Sequence, residues 1–349
     1  MKEVFGKTKN GDTVTAYTIN NKNGMSATII DFGATVTKLM VPDKDGVCRD
    51  VMLGYDTVAE YEEGDKFFGA IIGRNANRIC EGKVTINGTT YQMDQNDHGN
   101  NLHSGYNGVD KMLWTMMGQD ENSVTFICKS NDMDQGLPGD LTMTVKYLLT
   151  DDNEFKIIYD ADAEKKTVIN LTSHMYFNLK GNENGDILDH VVKINADHYN
   201  PVIDSKAIPT EENAPVDGTV FDFRKPKKVG DDVDKPEMQL EFVGGFDHNY
   251  VINGGTGTLR SFATVCSEES GICMELFSDL TGTQFYSGNA IGDTKGKNGV
   301  MYHNRSGLCL EPQFIPNAVN FIPEGDIDSP IFDKNEHYHT ESVYVFSNK

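Results

Sequence analysis

The chain has 349 residues, enough for one large β domain or two ordinary ones around a sizeable core. Thirty-one basic against 53 acidic residues give a formal charge of −22, which argues against nucleic acid, anionic membrane surfaces and phosphorylated substrates, since each wants a basic site. The six cysteines are scattered without a C-x-x-C pair and read as reduced, buried thiols rather than a disulfide framework or zinc site.

No apolar run reaches transmembrane length, and the N-terminus carries Lys2, Glu3 and Lys7 without an apolar stretch behind them. The plain expectation is a cytoplasmic protein, although an exported chain that had lost its signal would look the same. Along the chain, residues 56–61 read as one short helix. Gly73-Arg74-Asn75-Ala76-Asn77-Arg78-Ile79 packs two arginines and two asparagines between apolar runs, a pattern suited to surface ion pairing or to holding a ligand. Residues 83–86 and 89–93 flank Asn87-Gly88, a type I′ hairpin signal. Asn101-Leu102-His103-Ser104-Gly105 is a turn presenting one histidine, a weak signal taken alone. Residues 123–129 read as a strand, and residues 141–149 and 154–159 form a second hairpin.

The segment from Asn170 to Leu179 is the most informative. With a strand's period, Asn170, Thr172, His174, Tyr176 and Asn178 share one face, and Leu171, Ser173, Met175, Phe177 and Leu179 the other. The second face is mostly core. The first is a row of donors and acceptors around one histidine, suited to a neutral ligand rich in hydroxyls, such as a sugar. The match of Asn170-Leu171-Thr172 to a glycosylation sequon is read as accidental because it lies in this core-facing strand.

Residues 230–241 read as an exposed acidic loop, and Gly244-Gly245-Phe246-Asp247 as a tight turn with Asp247 at its tip. Gly254-Gly255-Thr256-Gly257 is read as a hairpin turn, not a phosphate loop, because no helix pattern follows. Strands are expected over 257–266, 271–278 and 341–347. Residues 283–289 place Gln284 and Tyr286 on one side of a strand running into a turn. In residues 308–314 the apolar positions alternate with Glu311 and Gln313, and a carboxylate in such a strand is costly to bury without a partner. An edge glutamate facing water remains the alternative on pattern alone. His337-Tyr338-His339 lacks a third metal ligand in the sequence and reads as one face of a strand. Many strands with Gly, Asn and Asp turns, no alternating helices and no composition shift predict an all-β sandwich or barrel in a single domain, residues 1–349.

Taken together, these segments resemble the aldose 1-epimerase (galactose mutarotase) family. Six of its signatures stand here in order: residues 73–79, 101–105, 170–179, 246–248, 284–289 and 310–318. The resemblance implies a large twisted β-sandwich with a sugar-binding groove across one sheet. It implies an isomerase that interconverts the α- and β-anomers of free hexoses such as galactose and glucose. Glu311 would be the base, His174 the acid, and His103 a second histidine near the reacting end of the sugar. Asn77, Arg78, Asp247 and Gln284 would bind hydroxyls, with Arg74 and Tyr176 supporting them from behind. The departures are Ser104, Ser173, Ser287 and Asn317, none of which removes a group assigned above.

Anomer exchange requires a base to take the C1 hydroxyl proton while an acid protonates the ring oxygen. The open aldehyde then turns about C1–C2 and recloses. A glutamate ionised at neutral pH and a histidine of ordinary pKa ~6.5 suit these tasks. No metal or cofactor is expected. The expected partner is a small aldose, with no nucleic acid or membrane, and the protein a monomer or homodimer. Three rivals stand beside this reading: an enzyme for hexose 6-phosphates, a non-catalytic sugar-binding module, and a glycoside hydrolase using Glu311 with Asp247.

Overall fold

The computed structural model describes residues 1–348, nearly all in strands and turns. Only two α-helices occur among them, Val58–Glu63 and Met238–Val243, each of six residues. The first is the expected short helix. Thr57 caps it, accepting from the Glu60 amide while the Glu60 carboxylate accepts from the Thr57 amide.

A nine-stranded antiparallel sheet forms one layer. Its spatial order is Thr115–Gln119, Ser123–Ser130, Leu141–Leu149, Glu154–Ala163, Tyr338–Asn348, Ile272–Ser278, Arg260–Cys266, Val191–Ile194 and Lys227–Lys228. Two five-stranded sheets lie against it. One is N-terminal and runs in sequence order from Lys2–Lys7 to Cys48–Asp50. The other has the order Ala214–Pro215, His198–Asn200, Asp247–Val251, Gly282–Tyr286 and Cys309–Gln313. One continuous core joins all three sheets: Ile19 and Val36 from the first, Phe285 and Leu310 from the second, Val145 and Phe346 from the large sheet. Period-2 alternation creates this sandwich, since every second side chain of each strand enters the shared interior.

The two predicted hairpins form, at Lys83–Ile86 with Thr89–Gln92 and at Leu141–Leu149 with Glu154–Ala163. Asn87 and Gly88 both have positive φ, as the type I′ turn demands.

Five expectations are corrected. The stretch 170–179 is not one continuous strand: only Thr172–Ser173 pairs in a ladder, with isolated bridges at Asn170 and Phe177. It threads between layers, so all ten residues are buried and its asparagines serve backbone groups instead. Asn170 Oδ1 accepts from the Phe314 amide, and Asn178 donates to the Gly185 and Ser306 carbonyls. Residues 230–241 are not simply loop, because Met238–Val243 is helical and buries Leu240 in the core. Asp247 opens a strand; Gly244, with φ of 72°, makes the turn before it. The 254–257 turn does not close a hairpin but carries the chain from one sheet to another. Finally, the thiols are neither all reduced nor all buried. Cys266 and Cys273 face each other across adjacent strands and form a disulfide, and Cys48 is exposed. Strand pairing brings those two together, and their spacing of seven follows no motif that announces it.

Candidate active site

Three neighbouring strands, Asp247–Val251, Gly282–Tyr286 and Cys309–Gln313, build the floor of a cavity of about 330 Å³. Their register sets the side chains in rows. Gln284 pairs with Asn249 on one side and Glu311 on the other; Tyr286 pairs with Asp247 and Cys309. Asp247, Gln284, Tyr286 and Glu311 therefore face the cavity, while His248, Phe285 and Leu310 enter the interior. His248 is packed edge-on against the stacked pair Phe221 and Tyr199, and burial lowers its pKa to about 3, so it is a core histidine.

The opposite wall comes from three short segments. Arg78–Ile79 pairs with Asn101–Leu102, and this ladder sets Asn77 and Arg78 beside His103. His103 and Ser104 follow with positive φ, which turns the imidazole inward. Its Nδ1 accepts from the Asn77 amide at 3.1 Å, which leaves Nε2 to carry the proton toward the cavity. Ser104 locks the turn, accepting from the Asn75 amide and donating to the Asn75 carbonyl. His174 follows Thr172–Ser173, which pairs with Ile71–Ile72.

His174 Nε2 lies 3.8 Å from Glu311 Oε2. Its ring is stacked between Tyr176 (4.9 Å, 15°) and Phe67 (5.8 Å, 18°), and Cys309 Sγ lies 3.6 Å from its Nδ1. Tyr176 thus packs on one face of the imidazole. Glu311 belongs to the edge strand of its sheet yet is only 2% exposed, because the 170–179 segment covers that edge through the Phe177–Leu308 bridge and Asn170. An edge glutamate facing water is thereby excluded. Glu311 Oε2 and Gln284 Oε1 have no hydrogen-bond partner among the described residues, so two buried acceptors point to the place where a ligand would sit.

Burial shifts the key groups strongly. The Glu311 carboxyl is pushed well above its ordinary value by desolvation and the nearby Asp247, against a smaller opposing effect of Arg78. Desolvation lowers His174 to about 3 and His103 well below its ordinary value. Both shifts run toward the neutral forms, because burial disfavours the charged carboxylate and the charged imidazolium alike.

Also lining the cavity, Gln284 Nε2 donates to Asp247 Oδ1 at 2.7 Å, and Arg78 Nη1 lies 3.9 Å from Asp247 Oδ2. Arg78 Nε also donates to Asp97 at 2.8 Å. Asn77 Oδ1 accepts from the Arg78 amide. Arg74 turns away from the cavity and is not behind the site residues. Fully buried, it donates to Ser130 Oγ and to the carbonyls of Ser130, Asn131, Leu137 and Pro138. Its segment carries both arginines, but their side chains do separate work. Pattern reading also misses Phe67 and Asp97. A lone phenylalanine or aspartate carries no periodic signal, and only tertiary contact assigns these two.

By distance, His103, His174 and Glu311 could also hold a metal ion, their ligand atoms lying within 4.8 Å of one another. Proton transfer between a carboxyl and an imidazole needs none. Among the described residues, no helix is long and apolar enough to cross a membrane.

A family profile described as Aldose 1-epimerase matches residues 15–345. Galactose mutarotase of Mus musculus is 41% identical over 321 residues, 91% of each chain. Aldose 1-epimerase of Escherichia coli K12 is 35% identical over 346 residues, 99% of each. Among solved structures, an aldose epimerase homologue from C. elegans superposes with a TM-score of 0.86 at 32% identity, covering 95% of this chain and 98% of its own.

Proposed function

The chain belongs to the aldose 1-epimerase family and interconverts aldose anomers, and we propose that Glu311 and His174 are the proton-transfer couple that opens and recloses the ring. The observation that carries this reading is the approach of His174 Nε2 to within 3.8 Å of an otherwise unpartnered Glu311 Oε2. The C1 hydroxyl and the ring oxygen share one carbon, so acid and base must stand close together. Two glycosidase carboxyls stand at least ~5 Å apart.

The couple carries one proton, wherever it rests. When sugar hydroxyls and Arg78 solvate the carboxylate, that proton moves to the imidazole. Glu311 then takes the C1 hydroxyl proton as His174 protonates the ring oxygen. After rotation about C1–C2 the same two groups reverse their roles. Positioned transfer of this kind is typically worth ~10²–10⁴ in rate. His103, neutral and with Nε2–H toward the cavity, donates to an oxygen at the reacting end. Asp247, Gln284, Arg78 and Asn77 anchor the distal hydroxyls, so that only C1 turns. The substrates would be free hexoses such as galactose and glucose, handled by one sandwich domain.

A hexose 6-phosphate fits less well, because Arg78 already serves Asp97 and Asp247, and Lys66, also lining the cavity, pairs with Asp65 at 3.1 Å. Polarimetry on freshly dissolved α-glucose and α-galactose tests the proposal. Faster approach to the equilibrium rotation than the blank is expected. No acceleration with either sugar would overturn it, and a response confined to the 6-phosphates would favour the phosphate-sugar reading.

A further inference from the structure

The His337-Tyr338-His339 motif lacks a third ligand in the sequence, but strand pairing supplies one and sets a second carboxylate beside His337. Asp160 is the register partner of His339 in adjacent antiparallel strands of the nine-stranded sheet. One step beyond the Ala161–Tyr338 pair, Asp162 comes opposite His337. Ala161 and Tyr338 point into the core, so these four side chains share the outer face. None of them lines the sugar cavity.

We propose that Asp160, His337 and His339 form a binding site for one divalent transition-metal ion of the Zn²⁺ class, with Asp162 orienting the His337 ring from its other nitrogen. His337 Nε2 and His339 Nδ1 lie 3.1 and 2.8 Å from the same oxygen, Asp160 Oδ1, while His337 Nδ1 lies 2.9 Å from Asp162. The two imidazoles stand nearly parallel, at 21°, with centroids 6.5 Å apart. Ligand atoms of Asp160, His337 and His339 all fall within 4.8 Å of one another. Bonds of ~2.0–2.2 Å to one ion require donor atoms no more than ~4.4 Å apart, so a small ring rotation completes the set. Both rings are about half exposed (53% and 49%) and free to make it.

The chemistry of the donors selects the ion. Two imidazoles with carboxylate oxygens suit Zn²⁺ and its neighbours, whereas Mg²⁺ and Ca²⁺ want mostly oxygen. A net charge of −22 draws cations to the surface. The three ligands come from two separate stretches of the chain, Asp160 from one and His337 and His339 from the other. The ion therefore clasps those stretches, and binding favours the folded chain.

The test uses the full chain stripped with EDTA, Zn²⁺ and Mg²⁺ as probes, calorimetric titration and thermal melts. The comparison is with a His337→Ala/His339→Ala variant, whose unchanged sugar turnover without zinc would certify its fold. Expected is one more equivalent of Zn²⁺ bound by the parent than by the variant, and a zinc-dependent rise in melting temperature only in the parent. Mg²⁺ should do neither. Asp162→Asn, which weakens the hold on the far nitrogen of His337, should weaken zinc binding by ~10–100-fold. Counting the difference in stoichiometry separates this site from any zinc taken up by His103, His174 and Glu311. Equal zinc uptake and equal melting shifts in parent and variant would overturn the proposal, as would no zinc uptake by the parent.

Discussion

Replacing Asp247 by alanine isolates binding from chemistry. The carboxylate accepts from Gln284 Nε2 at 2.7 Å and faces Arg78 Nη1 at 3.9 Å, so the three groups form one cluster on the cavity wall. A hydrogen bond to a charged group contributes ~1.5–3 kcal/mol, and each 1.4 kcal/mol is tenfold in affinity. If Asp247 accepts one sugar hydroxyl, Asp247→Ala should raise KM by about 10- to 150-fold. The proton couple stays in place, and removing Asp247 relieves part of the upward pressure on Glu311. Turnover at saturating sugar should therefore stay within a small factor of the parent. Polarimetric initial rates over a wide range of galactose concentration give both constants. A fall in kcat of a hundredfold with KM unchanged would refute the reasoning and move Asp247 into the chemistry.

The pH profile of kcat/KM should show no acid limb near pH ~6.5, the ordinary histidine value, because burial lowers His174 to about 3 and the couple keeps its single proton over a broad range; a limb at that pH would count against a buried, coupled pair. Glu311→Gln should melt progressively above the parent as pH rises from ~4 to ~8. The folded carboxyl's pKa is raised, so its stabilising contribution is complete below the unfolded value of ~4.3. That contribution is lost as pH climbs toward the folded value, with a limiting slope of ~1.4 kcal/mol per pH unit. A melting difference that does not vary with pH would contradict the raised carboxyl. Arg74→Met should destabilise the fold by ~3 kcal/mol or more in chemical denaturation, since four buried carbonyls and Ser130 Oγ lose their donor, while KM holds. An Arg74→Met protein of parental stability with weakened sugar binding would overturn that assignment.

Much of the site is legible in the sequence because its floor is made of strands. Alternation alone puts Glu311 opposite Leu310 in direction, and Gln284 opposite Phe285, and the structure sorts them to cavity and core in that way. The hairpin at Asn87-Gly88 is equally plain, since its turn chemistry is local. What pattern does not supply is anything created by contact between distant segments. The covering of Glu311's edge by Asn170 and Phe177 turns an ambiguous glutamate into a buried one and pushes its pKa upward. Arg74 and Arg78, four residues apart in one motif, part company because one meets the 130–138 loop and the other meets Asp97. The extended stretch 170–179 alternates as its sequence implies but does not form the ladder that alternation suggests. Asn170 and Asn178 satisfy backbone groups that a neighbouring strand would otherwise have served.

The central claim, that Glu311 and His174 move the protons, is tested most directly by the turnover of Glu311→Gln on α-galactose. Glutamine keeps the shape and can still meet a hydroxyl, but it cannot take its proton. The account predicts a kcat reduced by ~10²–10⁴ with KM changed little. Turnover near that of the parent would contradict it.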